Sequence, residues 1–407
     1  MDRLYKELIE TIQANQNSMV EQLHQFCSIN SGSENLPGLA LMSDVLQNAY
    51  KPLADSIEIK KAQPLTVINL SGNEIPQICG DALYIRKRPH LKRRILLSGH
   101  MDTVYSPTNP FQTLTYLTDN CINGPGVADM KGGLIAMLHA LSAFEQTDLA
   151  ETIGWDVIIN ADEEIGSPTS SILFDELAPN YEVALVYEPA MTDTGTLAKN
   201  RKGSGKLTLV ATGKAAHAGR AFTEGRNAIC YLAEAITAIH QLNGQRDGVT
   251  INVGRMAGGE ALNVVPDKAV AQLDIRISQP EDEFWVREQI DAILAQLKRT
   301  DYTLTVHGRF ARPVKRVCAN TERLFQRVQR LGHELGLNID WKDSGGCCDG
   351  NNLAQHGLAV LDTLGVRGGN IHSSEEYIVL DSLSERAALS ALLLVDLAQG
   401  GLEDLKK

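Results

Sequence analysis

The chain runs repeatedly from an unbroken apolar segment straight into a histidine or an acid. Arg94-Ile95-Leu96-Leu97-Ser98-Gly99 leads to His100 and Asp102. Ile153 to Asn160 leads to Asp162-Glu163-Glu164, and Val183-Ala184-Leu185-Val186-Tyr187 leads to Glu188. Runs this short and this apolar suit strands buried on both faces of a sheet. A helical period lies among them, with Leu134, Met137, Leu138 and Leu141 on one side of residues 131–146. A fourth apolar run, Gly357 to Leu361, comes far along the chain. The alternation predicts an α/β fold with a mainly parallel sheet flanked by helices. Ligands on such sheets gather at the carboxyl ends of the strands, where these acids and imidazoles fall.

Residues 202–312 have another rhythm. Lys206 to Val210, Thr250 to Met256, Val270 to Ile277 and Tyr302 to His307 read as strands. Asn227 to Leu242 and Phe284 to Leu297 read as helices. The order β-α-β-β-α-β is a ferredoxin-like α+β unit. It falls between the third and fourth strands of the parallel set, so it reads as an insertion. The catalytic domain is then discontinuous, 1–201 and 313–407, interrupted by 202–312. At the N-terminus, Leu4, Leu8, Ile9, Ile12, Leu23 and Phe26 recur at helical spacing over 1–27, and a further helix is expected over 37–50.

Composition narrows the function. The formal net charge over 407 residues is -12, and no basic run exceeds Lys92-Arg93-Arg94. Polyanions are repelled by such a surface, so nucleic acid is not an expected partner. The seven cysteines are irregularly spaced, with no C-x-x-C pair. That argues against a disulfide framework or a thiolate zinc site and for a reducing cytoplasm. No apolar run approaches the ~20 residues of a membrane span, and no apolar leader core opens the chain.

His100 and Asp102 lie two apart and share a face of an extended segment. His100 could then ligate a metal while Asp102 fixes its imidazole; a buried, hydrogen-bonded histidine is the plainer alternative. Asp129 sits between Gly124-Pro125-Gly126-Val127-Ala128 and Lys131-Gly132-Gly133. It either bridges two metals, one oxygen to each, or caps a helix start. Of Glu163 and Glu164, one could ligate while its neighbour activates water, unless the cluster is merely solvated. Glu188 and His372 add a carboxylate after a strand and an imidazole after Gly368-Gly369-Asn370-Ile371. Together these placements fit a dinuclear zinc centre of nitrogen and oxygen ligands.

Seven motifs follow one another along essentially the whole chain. They are Ser98-Gly99-His100-Met101-Asp102-Thr103-Val104, Gly124 to Gly133, Asp162-Glu163-Glu164-Ile165-Gly166-Ser167, Tyr187-Glu188-Pro189, His217-Ala218-Gly219, Asn263-Val264-Val265-Pro266 and Asp274-Ile275-Arg276. The set resembles the metallopeptidase family of acetylornithine deacetylase, succinyl-diaminopimelate desuccinylase, aminoacylase and glutamate carboxypeptidase, the last branch most closely. The resemblance implies that Asp129 bridges two divalent metals, usually zinc, with cobalt or manganese able to serve. It implies that His100 and Glu188 complete one metal, and Glu164 and His372 the other. Asp102 would orient His100, and Glu163 would be the general base.

The inserted unit would be a dimerisation lid whose His217 stabilises the oxyanion in the partner subunit of a homodimer. Asn263 and Arg276 match substrate-contacting positions, and Arg312 is a further candidate for a substrate carboxylate, which a guanidinium fork suits. A surface salt bridge for Arg312 and an ordinary loop position for His217 are the alternatives. The implied reaction is hydrolysis, by metal-activated water, of the amide or peptide bond of an N-acyl amino acid or a small peptide with a C-terminal carboxylate. Competing readings are a dinuclear aminopeptidase or dipeptidase, and a catalytically silent binding protein on the same fold. A two-metal phosphoesterase is disfavoured by the lack of basic clusters. One departure stands out: Cys347 and Cys348, in Ser344-Gly345-Gly346-Cys347-Cys348-Asp349-Gly350, replace small residues and either pack or make the pocket oxidation-sensitive.

Overall fold

Six strands form the main sheet, in the order Ser56–Lys60, Ala82–Lys87, Gly154–Asn160, Arg94–His100, Val183–Val186, Ala359–Leu361. This computed structural model describes residues 3–405. The two ends of the chain, 1–2 and 406–407, belong to the expected N-terminal helix and catalytic domain but lie outside the described residues. The last four strands in the order are mutually parallel. Ala82–Lys87 runs antiparallel to them, and Ser56–Lys60 pairs antiparallel with it in turn; the apolar-run pattern predicts neither.

Successive side chains of a strand point to opposite faces, and here both faces are covered. Ile95 and Leu97, Val157 and Ile159, Val183 and Leu185 join one large core cluster. Leu96, Ile158, Ala184 and Val186 join a second cluster on the other face, with Phe174 and Leu353. Double burial explains why these strands read as continuous apolar runs.

The first cluster is roofed by helices. The expected helix over 1–27 is two helices, Arg3–Ala14 and Gln16–Cys27, broken at Asn15. Leu36–Tyr50 follows, its start capped by the Asn35 side chain accepting from the Gly38 N–H. Gly133–Phe144 and Ser382–Asp396 pack centrally. Val127–Phe144 is apolar enough over 18 residues to pass for a membrane span, but 89% of it is buried inside the fold.

Residues 203–312 form a four-stranded antiparallel sheet in the order Thr250–Gly258, Lys268–Ile277, Gly203–Thr212, Thr303–Arg312. Helices Ala228–His240 and Glu281–Leu297 cover one face. Leu207, Leu209, Leu232, Ile239, Leu273, Ile275, Val286 and Ile290 make up a core cluster of their own.

A smaller sheet positions two loops. Its strands run Gly368–Gly369, Tyr377–Val379, Cys121–Asn123, Thr115–Thr118. Cys121–Asn123 feeds the turn that carries Asp129, and the hairpin between Gly368–Gly369 and Tyr377–Val379 holds His372 in its loop.

Candidate metal centre

His100 ends the strand Arg94–His100, and its register partner Asn160 ends the neighbouring strand just before Asp162-Glu163-Glu164. Glu188 follows the strand on the other side. Three parallel strands thus deliver a histidine and three carboxylates to one end of the sheet. The turn Val127–Gly132, where Asp129 and Met130 leave helical geometry, brings in Asp129. His372 arrives in the left-handed region, at φ 62°. A non-glycine residue held there is strained, and such strain clusters at functional sites.

Asp129 divides its carboxylate. Oδ1 lies 3.2 Å from His100 Nε2, and Oδ2 lies 3.1 Å from His372 Nε2. Glu164 Oε2 lies 3.1 Å from His372 Nε2, and Glu188 Oε1 3.8 Å from His100 Nε2. Ligand atoms of His100, Glu163 and Glu188 fall within 4.8 Å of one another, as do those of His100, Asp129 and Glu164. Asp129, Glu163, Glu164, Glu188 and His372 all line a cavity of about 320 Å³.

The electrostatics of this group are unbalanced. Burial, with help from the Asp129 charge, pushes the Glu164 carboxyl up to about 7. Burial also raises Glu163 and Glu188. Burial acts to raise Asp129 too, but its hydrogen bonds to His100 and His372 outweigh that and hold it low. His372, bonded to Asp129 and Glu164, is raised to about 11. Glu164 Oε1 and Glu188 Oε1 are buried without a hydrogen-bond partner among the described residues. A buried carboxylate oxygen with no donor is costly. Divalent cations would satisfy both oxygens, and the imidazole and carboxylate donors suit them.

Two further acids fasten the loops that carry the centre. Asp102 Oδ1 lies 3.4 Å from His100 Nδ1. Its two oxygens also accept the backbone N–H groups of Glu163 (3.2 Å) and Glu164 (3.1 Å), and Oδ2 accepts from Ser33 Oγ at 2.7 Å. Glu376, fully buried, accepts the backbone N–H groups of Gly126, Ala128 and Asp129 at 3.2, 2.9 and 3.0 Å and the Tyr105 hydroxyl at 2.7 Å. Glu376 is the positioning residue that the sequence reading misses. It sits in the polar run Ser373-Ser374-Glu375-Glu376, and nothing local marks it as buried.

The residues expected to contact substrate are placed differently. Arg312 is 3% exposed. Its Nη2 donates to Glu163 Oε1 at 2.6 Å, and its Nη1 to Asp349 Oδ1 at 2.5 Å and Asn352 Oδ1 at 2.8 Å. In this arrangement the fork of Arg312, expected to receive a substrate carboxylate, is held by two acids of the chain itself. Arg276 is bonded to Asp274 through Nε and Nη2 at 2.7 and 3.1 Å, and Nη1 donates to Cys347 Sγ at 3.2 Å. Cys347 and Cys348 line the cavity, and the Cys348 thiol also caps the helix Asp349–Ala354. His217 and Asn263 are exposed neighbours on a small ribbon in which His217 pairs with Val264, and neither lines the cavity.

The fold and the site define a metal-dependent hydrolase of amide or peptide bonds. Residues 96–396 match the model of Peptidase family M20/M25/M40, and the chain belongs to that family. It is 25% identical to carboxypeptidase G2 of Pseudomonas sp. (strain RS-16) over 387 residues, 95% of this chain and 90% of that one. The dipeptidase Dug1p of Saccharomyces cerevisiae shares the fold with a TM-score of 0.73 at 13% identity, covering 98% of this chain and 99% of Dug1p. Bacillus subtilis YXEP, a dinuclear metal-binding peptidase of the M20 family, does so with a TM-score of 0.64 at 13% identity, covering 95% and 99%.

Proposed function

We propose that the chain hydrolyses the amide or peptide bond of an N-acyl amino acid or a small peptide with a free C-terminal carboxylate. The observation that carries this reading is the division of Asp129 between His100 and His372. It supports a bridging role for Asp129, with His100 and Glu188 completing one metal and Glu164 and His372 the other. Zinc suits this set of nitrogen and oxygen donors, and cobalt or manganese could replace it. When bound, the metal pair supplies Lewis acidity and lowers the pKa of water.

The chain's own residues do the rest. Glu163 takes a proton from the attacking water on a carboxylate oxygen and returns it to the leaving nitrogen. Asp102 holds the His100 ring, its backbone carbonyl accepting from Nδ1 at 3.0 Å, and its carboxylate accepts the backbone N–H of Glu163, so imidazole and base keep one geometry. Arg312 orients the Glu163 carboxylate.

Residues 202–312 serve, in this reading, as the dimerisation and lid unit. Strand Thr250–Gly258 is an open sheet edge, the kind of edge that proteins pair or cover. Leu262 and Val264, beside His217 on the ribbon, are exposed apolar residues. Their exposure supports a partner subunit there, with His217 stabilising the oxyanion and Asn263 binding substrate in that subunit's site.

Metal-loaded protein assayed against N-acyl amino acids, dipeptides and aminoacyl amides tests the proposal. Cleavage of N-acyl amino acids or of carboxylate-bearing dipeptides, with inert amides, supports it. Cleavage confined to amides would make the protein an aminopeptidase. No hydrolysis of any of them would leave a binding protein on the same fold.

A further inference from the structure

The central helix Ser382–Asp396 buries almost every side chain it carries, and one of them is Arg386, at 0% exposure. Arg386 Nη2 donates to the Gly195 carbonyl at 3.0 Å. Gly195 packs so closely there that a Cβ on it would collide with the same nitrogen. Arg386 Nε and Nη1 are buried and make no hydrogen bond among the described residues.

The charge is as poorly matched as the donors. Among the described residues, the one carboxylate at ion-pair distance is Glu385, whose Oε1 lies 3.3 Å from Arg386 Nε. That acid is already engaged by the fork of Arg367, with Nε at 3.1 Å and Nη2 at 3.0 Å. Two guanidinium groups therefore share one carboxylate, and the more deeply buried has the weaker hold on it. Burial pushes the Arg386 guanidinium down to about 10 despite the Glu385 charge, and Arg367 adds to the fall. A lysine so placed could shed its proton, but a guanidinium stays charged at neutral pH. An uncompensated buried charge is costly, so this side chain calls for a counter-anion.

We propose that Arg386 binds a halide ion, chloride in ordinary solution, through Nε and Nη1. Full burial and the close wall at Gly195 suit a single-atom anion rather than a carboxylate or phosphate. Arg386 does not line the metal-site cavity, so this position is separate from the substrate's. The ion would be structural. Arg386 and Arg367 hold the same loop, through the carbonyls of Gly195 and Asp193. That loop continues from Glu188, and Ala190 and Met191 just before it line the metal-site cavity. A halide that fixes Arg386 would steady the chain leading out of a candidate metal ligand.

Thermal melts of the full-length protein in potassium chloride, exchanged against potassium gluconate at constant ionic strength, test the proposal. An ion that binds the folded chain alone raises the unfolding temperature with its concentration, by about 3 °C at a hundredfold excess over Kd for a chain of this size. The rise should appear in metal-loaded and chelator-treated protein alike, which separates it from chloride bound to the metals. Arg386→Met keeps much of the side-chain volume without the charge, and its unfolding temperature should not respond to chloride. Crystals of the wild-type protein grown in potassium bromide should show anomalous density in contact with the Arg386 guanidinium, a readout that stands even if the variant does not fold. A wild-type unfolding temperature indifferent to chloride would overturn the proposal. So would an equal chloride response in Arg386→Met, or bromide density absent from the guanidinium.

Discussion

Glu376 accepts the backbone N–H of Asp129 at 3.0 Å, so an acid four residues beyond His372 fixes the turn that holds the carboxylate between the two imidazoles. One buried side chain thereby ties together the loops of two candidate ligands. Its other contacts, to Gly126, Ala128 and Tyr105, use its remaining acceptor sites. Glu376→Gln replaces an acceptor oxygen with an NH₂ group facing backbone N–H donors. Leaving such a donor unsatisfied costs about 1–3 kcal/mol. Changes to groups that hold metal ligands typically lower metal affinity about 10–100-fold. Metal retained after dialysis against a graded chelator series should fall accordingly, along with the unfolding temperature. Unchanged metal retention would show that the Asp129 turn holds its shape without Glu376.

Glu163 and Glu164 are adjacent in sequence but are given different partners. Glu164 meets His372 at 3.1 Å, whereas Glu163 meets Arg312 at 2.6 Å. Glu163→Gln should therefore lower the hydrolytic rate by about 10²–10⁴ with two metals still bound, as measured by elemental analysis beside the assay. Glu164→Gln should instead reduce the metal content. Near-wild-type turnover by Glu163→Gln would remove the proton-transfer role from that residue.

The parts of this architecture that can be read along the chain are those whose environment is uniform. The strands Arg94–His100, Gly154–Asn160 and Val183–Val186 are buried on both faces, so they appear as apolar runs. Ser56–Lys60 does not, because its Ser-Ile-Glu-Ile-Lys pattern lies at a half-exposed sheet edge. The acids and imidazoles at strand ends stand out for the same reason, by contrast with the apolar residues before them. Glu376 and Arg312 cannot be recognised this way. Their partners lie 247 and 149 positions away, at Asp129 and Glu163, and only the folded topology brings them there.

Arg312 sits at the end of strand Thr303–Arg312 and grips Glu163 and Asp349 from a buried position. Arg312→Ala leaves two acids without their shared cation, and breaking a buried pair typically costs ~3–5 kcal/mol. Arg312→Lys keeps the charge but loses the fork. If Arg312 orients the base, the lysine variant should show a reduced kcat with little change in KM. A rise in KM confined to substrates with a free carboxylate would instead assign Arg312 the substrate-binding role. Steady-state kinetics on an N-acyl amino acid and its carboxamide separate the two outcomes.

Metal removal should destabilise the protein more at alkaline than at acid pH. Without cations, burial and the Asp129 charge hold the Glu164 carboxyl at about 7, above its ordinary value. Between that ordinary value and 7 the folded protein binds a proton that the unfolded chain has lost. Stability therefore falls as the pH rises through this window. His372, held at about 11 by its bonds to Asp129 and Glu164, acts in the same direction. Its stabilisation is complete below the unfolded imidazole value and is lost as the pH climbs toward 11. Metals displace these protons, so their binding strengthens over the same range. The gap in unfolding temperature between zinc-loaded and chelator-treated protein should widen from pH 5.5 to pH 8 in thermal melts. A gap that stayed constant or narrowed would mean that the protonated side chains of this cluster are not what the metals replace.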